Sequence, residues 1–339
     1  MSNISDKAYV SPKAKIGNNV TIYPFAYIED DVVIGDNCTI YPYVSIMNGT
    51  RLGKDNKIYQ NTVLGAEPQD FEYRGEASRL IIGDGNCIRE NVVINRATHS
   101  DGETVIGDKN FLMEGVHISH DTHIGRVNVF GYGTKIAGDC VIGDRVIFSS
   151  GVIANPGSRV GDASMIQSGT RFSKDIPPFI VATDNPVRYG GVNAVILRNY
   201  NVDEKIISHI ANAYRLLFHG QTSVFDAVNQ IEQQVPDGEE VRAIINFVRN
   251  TTLGIISKIC YYPLPPPDSI GLQISHGYID GLNAIWWRTM RHTRGIGEAN
   301  HHTYAVRDSC HTQTASASFS VHPPRPSSHS PQAQLKFGA

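Results

Sequence analysis

The sequence predicts an all-β fold, a parallel β-helix built from hexapeptide repeats, followed by a small C-terminal α-helical domain. Three observations carry that prediction. Val10, Ile16, Ile22, Ile28, Ile34, Ile40, Ile46, Leu52, Ile58 and Leu64 recur at unbroken intervals of six, a period that neither an α-helix nor a flat sheet requires. Many anchors are followed by Gly and a polar turn, as in Ile16-Gly17-Asn18-Asn19, Ile34-Gly35-Asp36-Asn37 and Ile142-Gly143-Asp144-Arg145, which suits tight corners. From Asp203 the apolar spacing changes to three and four, the period of a helix.

Each hexapeptide reads as one short strand with a single inward side chain. The chain must then coil to cover that face, and stacked coils share one continuous core. The beat lapses at Asp70 and Glu76, resumes at Ile82, Ile88 and Ile94, and lapses again at Ser100. It then runs through Ile106, Leu112, Ile118, Ile124, Phe130, Ile136 and Ile142. Both gaps are expected to be loops pushed out of the coil. Phe148, Ala154, Val160 and Ile166 keep the register with a weaker texture, so the β-helix is expected over residues 1–190.

A helical domain is expected over residues 191–257, with three amphipathic helices. Ile206, Ile207, Ile210, Tyr214 and Leu217 mark the first; Ser223-Val224-Phe225-Asp226 offers a capping box for the second, carrying Val228 and Ile231; Val241, Ile244, Ile245 and Val248 form the stripe of the third. Three short helices are too few to fold well alone, so they should pack on the coil or on a neighbouring subunit. Residues 258–339 hold Pro263-Leu264-Pro265-Pro266-Pro267, both tryptophans and a Ser/Pro/His-rich end, with no periodicity. That stretch reads as disordered, or as sequence foreign to the ancestral domain, such as a shifted reading frame.

Composition bounds the function. The 339 residues are 41 % hydrophobic with a formal charge of −3, enough for a sizeable core and too near neutral to favour a nucleic-acid partner. No apolar run approaches the roughly 20 residues of a transmembrane segment, and the polar start Met1-Ser2-Asn3-Ile4-Ser5-Asp6 lacks the regions of a signal peptide. A cytoplasmic protein with no transmembrane segment is expected. Cys38, Cys87, Cys140, Cys260 and Cys310 are scattered, with no C-x-x-C pair, and should be reduced and passive.

Three histidines, His117, His120 and His123, fall within seven residues. A zinc site is the first alternative, but His117 and His123 are six apart, each just before an anchor, so they stand on different faces and diverge. No metal and no bound cofactor is expected there. His301-His302 lacks a folded frame for one. His120, with Asp121 beside it, suits proton transfer, because a carboxylate fixes the imidazole tautomer; the plain alternative is a solvated turn histidine.

Five stretches add a resemblance. Gln69-Asp70-Phe71-Glu72-Tyr73-Arg74-Gly75-Glu76, Ile88-Arg89-Glu90 with Asn95-Arg96-Ala97-Thr98, His117-Ile118-Ser119-His120-Asp121, Asp175-Ile176-Pro177-Pro178-Phe179 and Gly190-Gly191-Val192-Asn193 together resemble the UDP-N-acetylglucosamine O-acyltransferases, which open lipid A biosynthesis. Residues 8 to 257 share the resemblance. It implies a left-handed coil, against the usual crossover hand, in a homotrimer with active sites between subunits. It also implies acyl carrier protein as acyl donor and UDP-N-acetylglucosamine, or a related sugar nucleotide, as acceptor. His120 matches the general base, Asp121 the residue that orients it, and Gly138 the glycine whose N–H meets the oxyanion. Asp70, His117 and Gln69 match residues around the sugar, and Asn193 and Asn155 fall at substrate positions.

This chain also departs from the family pattern. Asn155-Pro156-Gly157 stands for His-Gln-Phe, Asp139 for a His, Glu72 for a Lys, and Asn199 and Tyr200 for two arginines that meet the diphosphate, with Arg198 next door as a substitute. Ser168 replaces a glycine that leaves room for long acyl tails, which favours a shorter chain. Two rivals follow from these changes. One is a related hexapeptide acyltransferase using another sugar nucleotide or acetyl-CoA; the other is an inactive β-helix scaffold.

Overall fold

The structure, a computed structural model, describes residues 2–220 and 222–256. Ser257, Cys260, Cys310, the His301-His302 pair and the expected tail over 258–339 lie outside the described residues.

Each hexapeptide forms a strand of about two residues, such as Thr21–Ile22, Tyr27–Ile28 and Val33–Ile34. Successive strands pass to three different parallel sheets, of 11, 9 and 8 strands, which are the faces of a prism. One turn of the coil therefore takes three hexapeptides: Ile22 pairs with Ile40 and Ile28 with Ile46, eighteen residues on. The second residue of each pair points inward. Ile28, Ile40, Ile46, Ile58 and Leu64 are fully buried, which is why the beat of six is the visible signature of the core.

Corners are set by residues that accept a left-handed backbone. Asn19, Asn37 and Asp55 have φ of 55°, 60° and 59°, a region where Asn and Asp are enriched because their short side chains bond locally. Behind one row of corners runs a buried asparagine ladder. The Oδ1 atoms of Asn56, Asn86, Asn110 and Asn128 accept the N–H of Asn86, Asn110, Asn128 and Val146 at 2.7–2.9 Å. Asn110 also donates Nδ2 to the Gly125 carbonyl at 3.0 Å. We expect Asn110→Ala to cost roughly 2–4 kcal/mol, because the buried Asn128 N–H and the half-buried Gly125 carbonyl each lose a partner; chemical denaturation would measure it.

The two lapses of the beat are insertions of whole hexapeptides. Ile40 pairs with Ile58, eighteen residues on, whereas Ile58 pairs with Ile88, thirty on, and Ile88 with Leu112, twenty-four on. Extra lengths of twelve and six residues return each anchor to its own sheet, so the core continues while the segments around 67–78 and 96–102 protrude.

The last parallel strand is Ile180–Thr183, and Arg188–Val192 folds back on it antiparallel. Four helices follow, one more than the spacing predicts: α1 (Ala194–Asn199), α2 (Glu204–His219), α3 (Val224–Gln234) and α4 (Glu239–Arg249). Helix α1 has six residues, too short to display an apolar stripe. Asp203 caps α2 by accepting the Lys205 N–H at 2.7 Å, and Ser223 caps α3 by accepting that of Asp226 at 3.1 Å. Tyr214 of α2 is buried and donates to the Pro178 carbonyl at 2.5 Å, seating the helix on the end of the coil. Asp175, fully buried, accepts the Arg159 N–H at 2.9 Å and the Thr251 hydroxyl at 2.7 Å, tying residues 251–256 back to the same end.

Candidate active site

The corner between strands His117–Ile118 and His123–Ile124 joins the 9-stranded sheet to the 8-stranded one. His117 and His123 therefore stand on different faces, and the residues between them form the turn. His117 pairs with Lys135, and Asp139 N–H donates to the His120 carbonyl at 3.1 Å, so the next coil lies directly over the turn. Asp121 sits at φ 55° and Asp139 above it at 60°. A Cβ on Gly138 would stand 2.5 Å from His120 Cε1 and 2.7 Å from Nε2; only glycine lets the imidazole lie against that coil. Ala137 N–H donates to the Ala154 carbonyl. Gly138 N–H donates to no acceptor among the described residues.

His120 is 9 % exposed. Its Nδ1 lies 2.9 Å from Asp121 Oδ2 and 3.0 Å from Thr98 Oγ1, and its Nε2 lies 3.4 Å from Asp70 Oδ2. An ionised carboxylate beside Nδ1 needs a proton there, which leaves the Nε2 lone pair as the basic position. Asp121 is itself held: its carboxylate accepts the Thr98 N–H at 3.0 Å, and its own N–H donates to Thr104 Oγ1 at 2.9 Å.

Asp70 arrives from the first inserted segment, which is strapped to the coil. Arg96 donates to the Gly65 carbonyl at 2.9 Å and to the Tyr73 hydroxyl at 2.6 Å, pairs with Glu67 at 3.3 Å, and lies over the Tyr73 ring. Asp70 Oδ1 accepts the Glu72 N–H at 2.7 Å. Gln69 is exposed on the same segment, and Phe71 beside it is 98 % exposed. His117 is half-buried. Burial, and secondarily the Lys135 and His120 charges, hold its imidazole below the ordinary histidine range, so it is neutral near pH 7 and can exchange hydrogen bonds with hydroxyls.

The chain thus brings Asp70, His120, Asp121 and Gly138 together, with His117 on the adjoining strand. Other expected site residues stand elsewhere. Asn155 follows the strand Ile153–Ala154, one coil beyond Ala137, and its Oδ1 accepts from Arg171 at 3.2 Å. Asn193 is buried and donates to the Ala163 carbonyl at 3.0 Å. Ser168 is exposed at a corner that leaves the 11-stranded sheet, a different edge of the prism from His120. Arg198 is exposed and paired through two bonds to Glu204, at 2.6 and 3.1 Å. Next to it, the Arg145 guanidinium lies 4.6 Å over the Tyr200 ring.

Two features escape sequence reasoning: the Thr98 contacts and the Arg96–Tyr73 strap. Both lie in stretches singled out above, but no spacing rule assigns them a task. Among the described residues no three His, Cys, Asp or Glu converge on a metal-sized position, and no helix is long and apolar enough to cross a membrane. Cys38 and Cys140 are free and buried, and burial pushes the Cys140 thiol up to about 12.

Comparison with known proteins agrees with these features. Residues 13–46 and 31–66 match the bacterial transferase hexapeptide family, and residues 175–256 match UDP N-acetylglucosamine O-acyltransferase, domain 2. Acyl-(acyl-carrier-protein)–UDP-N-acetylglucosamine O-acyltransferases from Halorhodospira halophila and Paraburkholderia phymatum are 37 % and 38 % identical, each over 76 % of this chain and 100 % of the relative. A solved UDP-N-acetylglucosamine acyltransferase from Bacteroides fragilis superposes with a TM-score of 0.74 at 47 % identity, covering 75 % of this chain and 99 % of that one. One from Acinetobacter baumannii gives 0.73 at 31 %, over 75 % and 99 %. The coil is thus the left-handed parallel β-helix, and this chain belongs to the UDP-N-acetylglucosamine O-acyltransferase family.

Proposed function

We propose that this chain transfers a 3-hydroxyacyl group from acyl carrier protein to the 3-hydroxyl of UDP-N-acetylglucosamine, in the cytoplasm, opening lipid A biosynthesis. The observation that carries this reading is the orientation of His120: Nδ1 on Asp121, Nε2 toward Asp70, and an unengaged N–H at Gly138 alongside.

The steps follow from those atoms. The sugar hydroxyl enters between Asp70 and His120, and Nε2 takes its proton as the oxygen attacks the thioester carbon. Gly138 N–H donates to the carbonyl oxygen as it becomes an oxyanion. The C–S bond then breaks, the ester remains on the sugar, and the proton on Nε2 passes to the leaving sulfur. Asp121 holds the imidazolium during the interval. His117, neutral through burial, and Gln69 contact the sugar from either side.

A homotrimer completes the site in this reading. Phe71 projects uncovered from the segment that brings Asp70 to His120, and Ser168 occupies another edge of the prism. A neighbouring copy would bring Ser168, Asn193 and the Tyr200 region toward the cleft. With Arg198 already held by Glu204, Arg145 is the better-placed cation at that region. Residues 1–190 would then serve as the catalytic coil and 191–257 as the domain that covers it.

The test offers the purified protein several acyl carrier protein thioesters with UDP-N-acetylglucosamine and its 3-amino analogue, with mass spectrometry of the products and light scattering of the protein. The reading expects a 3-O-acylated sugar nucleotide from a trimer. Transfer only from acetyl-CoA, transfer only to the amine, or an active monomer would overturn it; no product from a folded trimer would promote the scaffold alternative.

A further inference from the structure

We propose that Thr98 is a positioning residue for the reaction, holding the His120–Asp121 pair as one unit through its hydroxyl and its backbone N–H together. The proposal rests on His120 being the base. Thr98 is 3 % exposed, and its hydroxyl lies 3.0 Å from His120 Nδ1 while its N–H donates to Asp121 Oδ2 at 3.0 Å. Its contacts are to Nδ1 and to Asp121, on the side of the ring away from the Nε2 that takes the proton.

The six-residue insertion explains how a residue so far back in the chain arrives there. In an uninterrupted coil the residue under Asp121 would be a corner residue of the same hexapeptide frame. Here the second lapse of the beat protrudes at 99–101 but buries Ala97 and Thr98 against the corner at its start. Ser78 Oγ donates to the Ala97 carbonyl, and Ala97 N–H donates to the Arg79 carbonyl at 3.3 Å, so the backbone entering Thr98 is fixed. A Cβ on Gly102 would stand 3.2 Å from Ala97 Cβ and 3.5 Å from Asp121 Oδ1, so the return of the segment is packed as closely as its entry. The insertion therefore serves the catalytic corner and is more than a surface loop.

The chemistry of the contacts says what Thr98 does. On Nδ1, Asp121 alone would hold the ring at one point, with Asp70 at 3.4 Å on Nε2 and the Gly138 coil against its face. A second oxygen at 3.0 Å on the same nitrogen fixes the plane of the imidazole, and with it the direction of the Nε2 lone pair. When Nε2 gains the proton, the Nδ1–H becomes a stronger donor, and the Thr98 oxygen shares with Asp121 the charge that appears. That gain exists only once proton transfer has begun. Loss of the hydroxyl should then fall on kcat and leave KM for the sugar nucleotide alone.

The experiment compares Thr98→Val, which removes the hydroxyl at constant shape, with Thr98→Ser, which keeps it, in the full-length protein assayed for acyl transfer. Thr98→Val should lower kcat about 10-fold, as expected for one hydrogen bond made stronger in the transition state, with KM within about twofold, while Thr98→Ser recovers kcat to within about threefold. Thermal melting establishes that each variant is folded, and Thr98→Ala takes the place of Thr98→Val should the latter fail to fold. A folded Thr98→Val with unchanged kcat, equal losses in Val and Ser, or a loss confined to KM would overturn the proposal, as would failure of both Val and Ala to fold. Full activity in His120→Ala would instead remove the base on which it rests.

Discussion

His120→Ala is expected to lower turnover by at least about 100-fold while affinity for the sugar nucleotide changes little, because removing a general base forfeits roughly 10²–10⁴ in rate. His123→Ala is expected to be nearly silent. The contrast is sharp because the two histidines are three residues apart and one sequence segment contains both. His120 is buried in the corner with Asp121, Thr98 and Asp70 around it, whereas His123 is exposed on the next face, opposite Val141 and Val105. A metal or a diffuse charge patch would make the two losses comparable. Steady-state kinetics on the folded variants decide it, and equal losses would remove the base mechanism.

Gly138→Ala is expected to abolish most of the activity without unfolding the protein. The glycine does not use a left-handed φ, so alanine meets no backbone strain there. The atoms nearest the added carbon are those of the His120 ring, at 2.5 to 3.0 Å. A flexible side-chain end would simply swing away. This one is held by Asp121 and Thr98 on Nδ1, so the ring or the coil above must shift, and a displacement near 1 Å at a catalytic group costs on the order of 10²-fold. The same shift disturbs the Gly138 N–H. Circular dichroism melting should stay within a few degrees of the parent while kcat collapses; retained activity would show that the ring does not occupy this position during turnover.

Legibility differed along the chain for physical reasons. An inward side chain every six residues leaves a mark at every turn of the coil, so the anchors from Ile22 to Ile166 could be read one by one. Helices α2, α3 and α4 repeat over ten residues or more and show their stripes; α1, with six, shows none. His120 and Asp121 were legible because they are sequence neighbours and chemically distinctive. Asp70 and Gly138 took their roles from resemblance, since nothing local says that a loop residue and a coil glycine will share a corner with His120. Thr98 carried no chemical signal at all, as a threonine at a corner is unremarkable until its partners are known.

Sequence by itself determined the coil, its period, the two insertions and the three longer helices, because each depends on contacts that recur at short, fixed spacings. Only the tertiary structure brought both insertions to the His120 corner and set other expected residues apart from it. Asp70 and Thr98 reach His120 because the coil closes with 12 and 6 residues added to its eighteen, as the pairings of Ile58 with Ile88 and Ile88 with Leu112 record. Ser168 is carried to another edge by the same arithmetic, and Arg198 is taken up by Glu204. Such proximities are sums over many residues of strand, corner and loop, and a sum of that kind is fixed only when the whole coil has closed on itself.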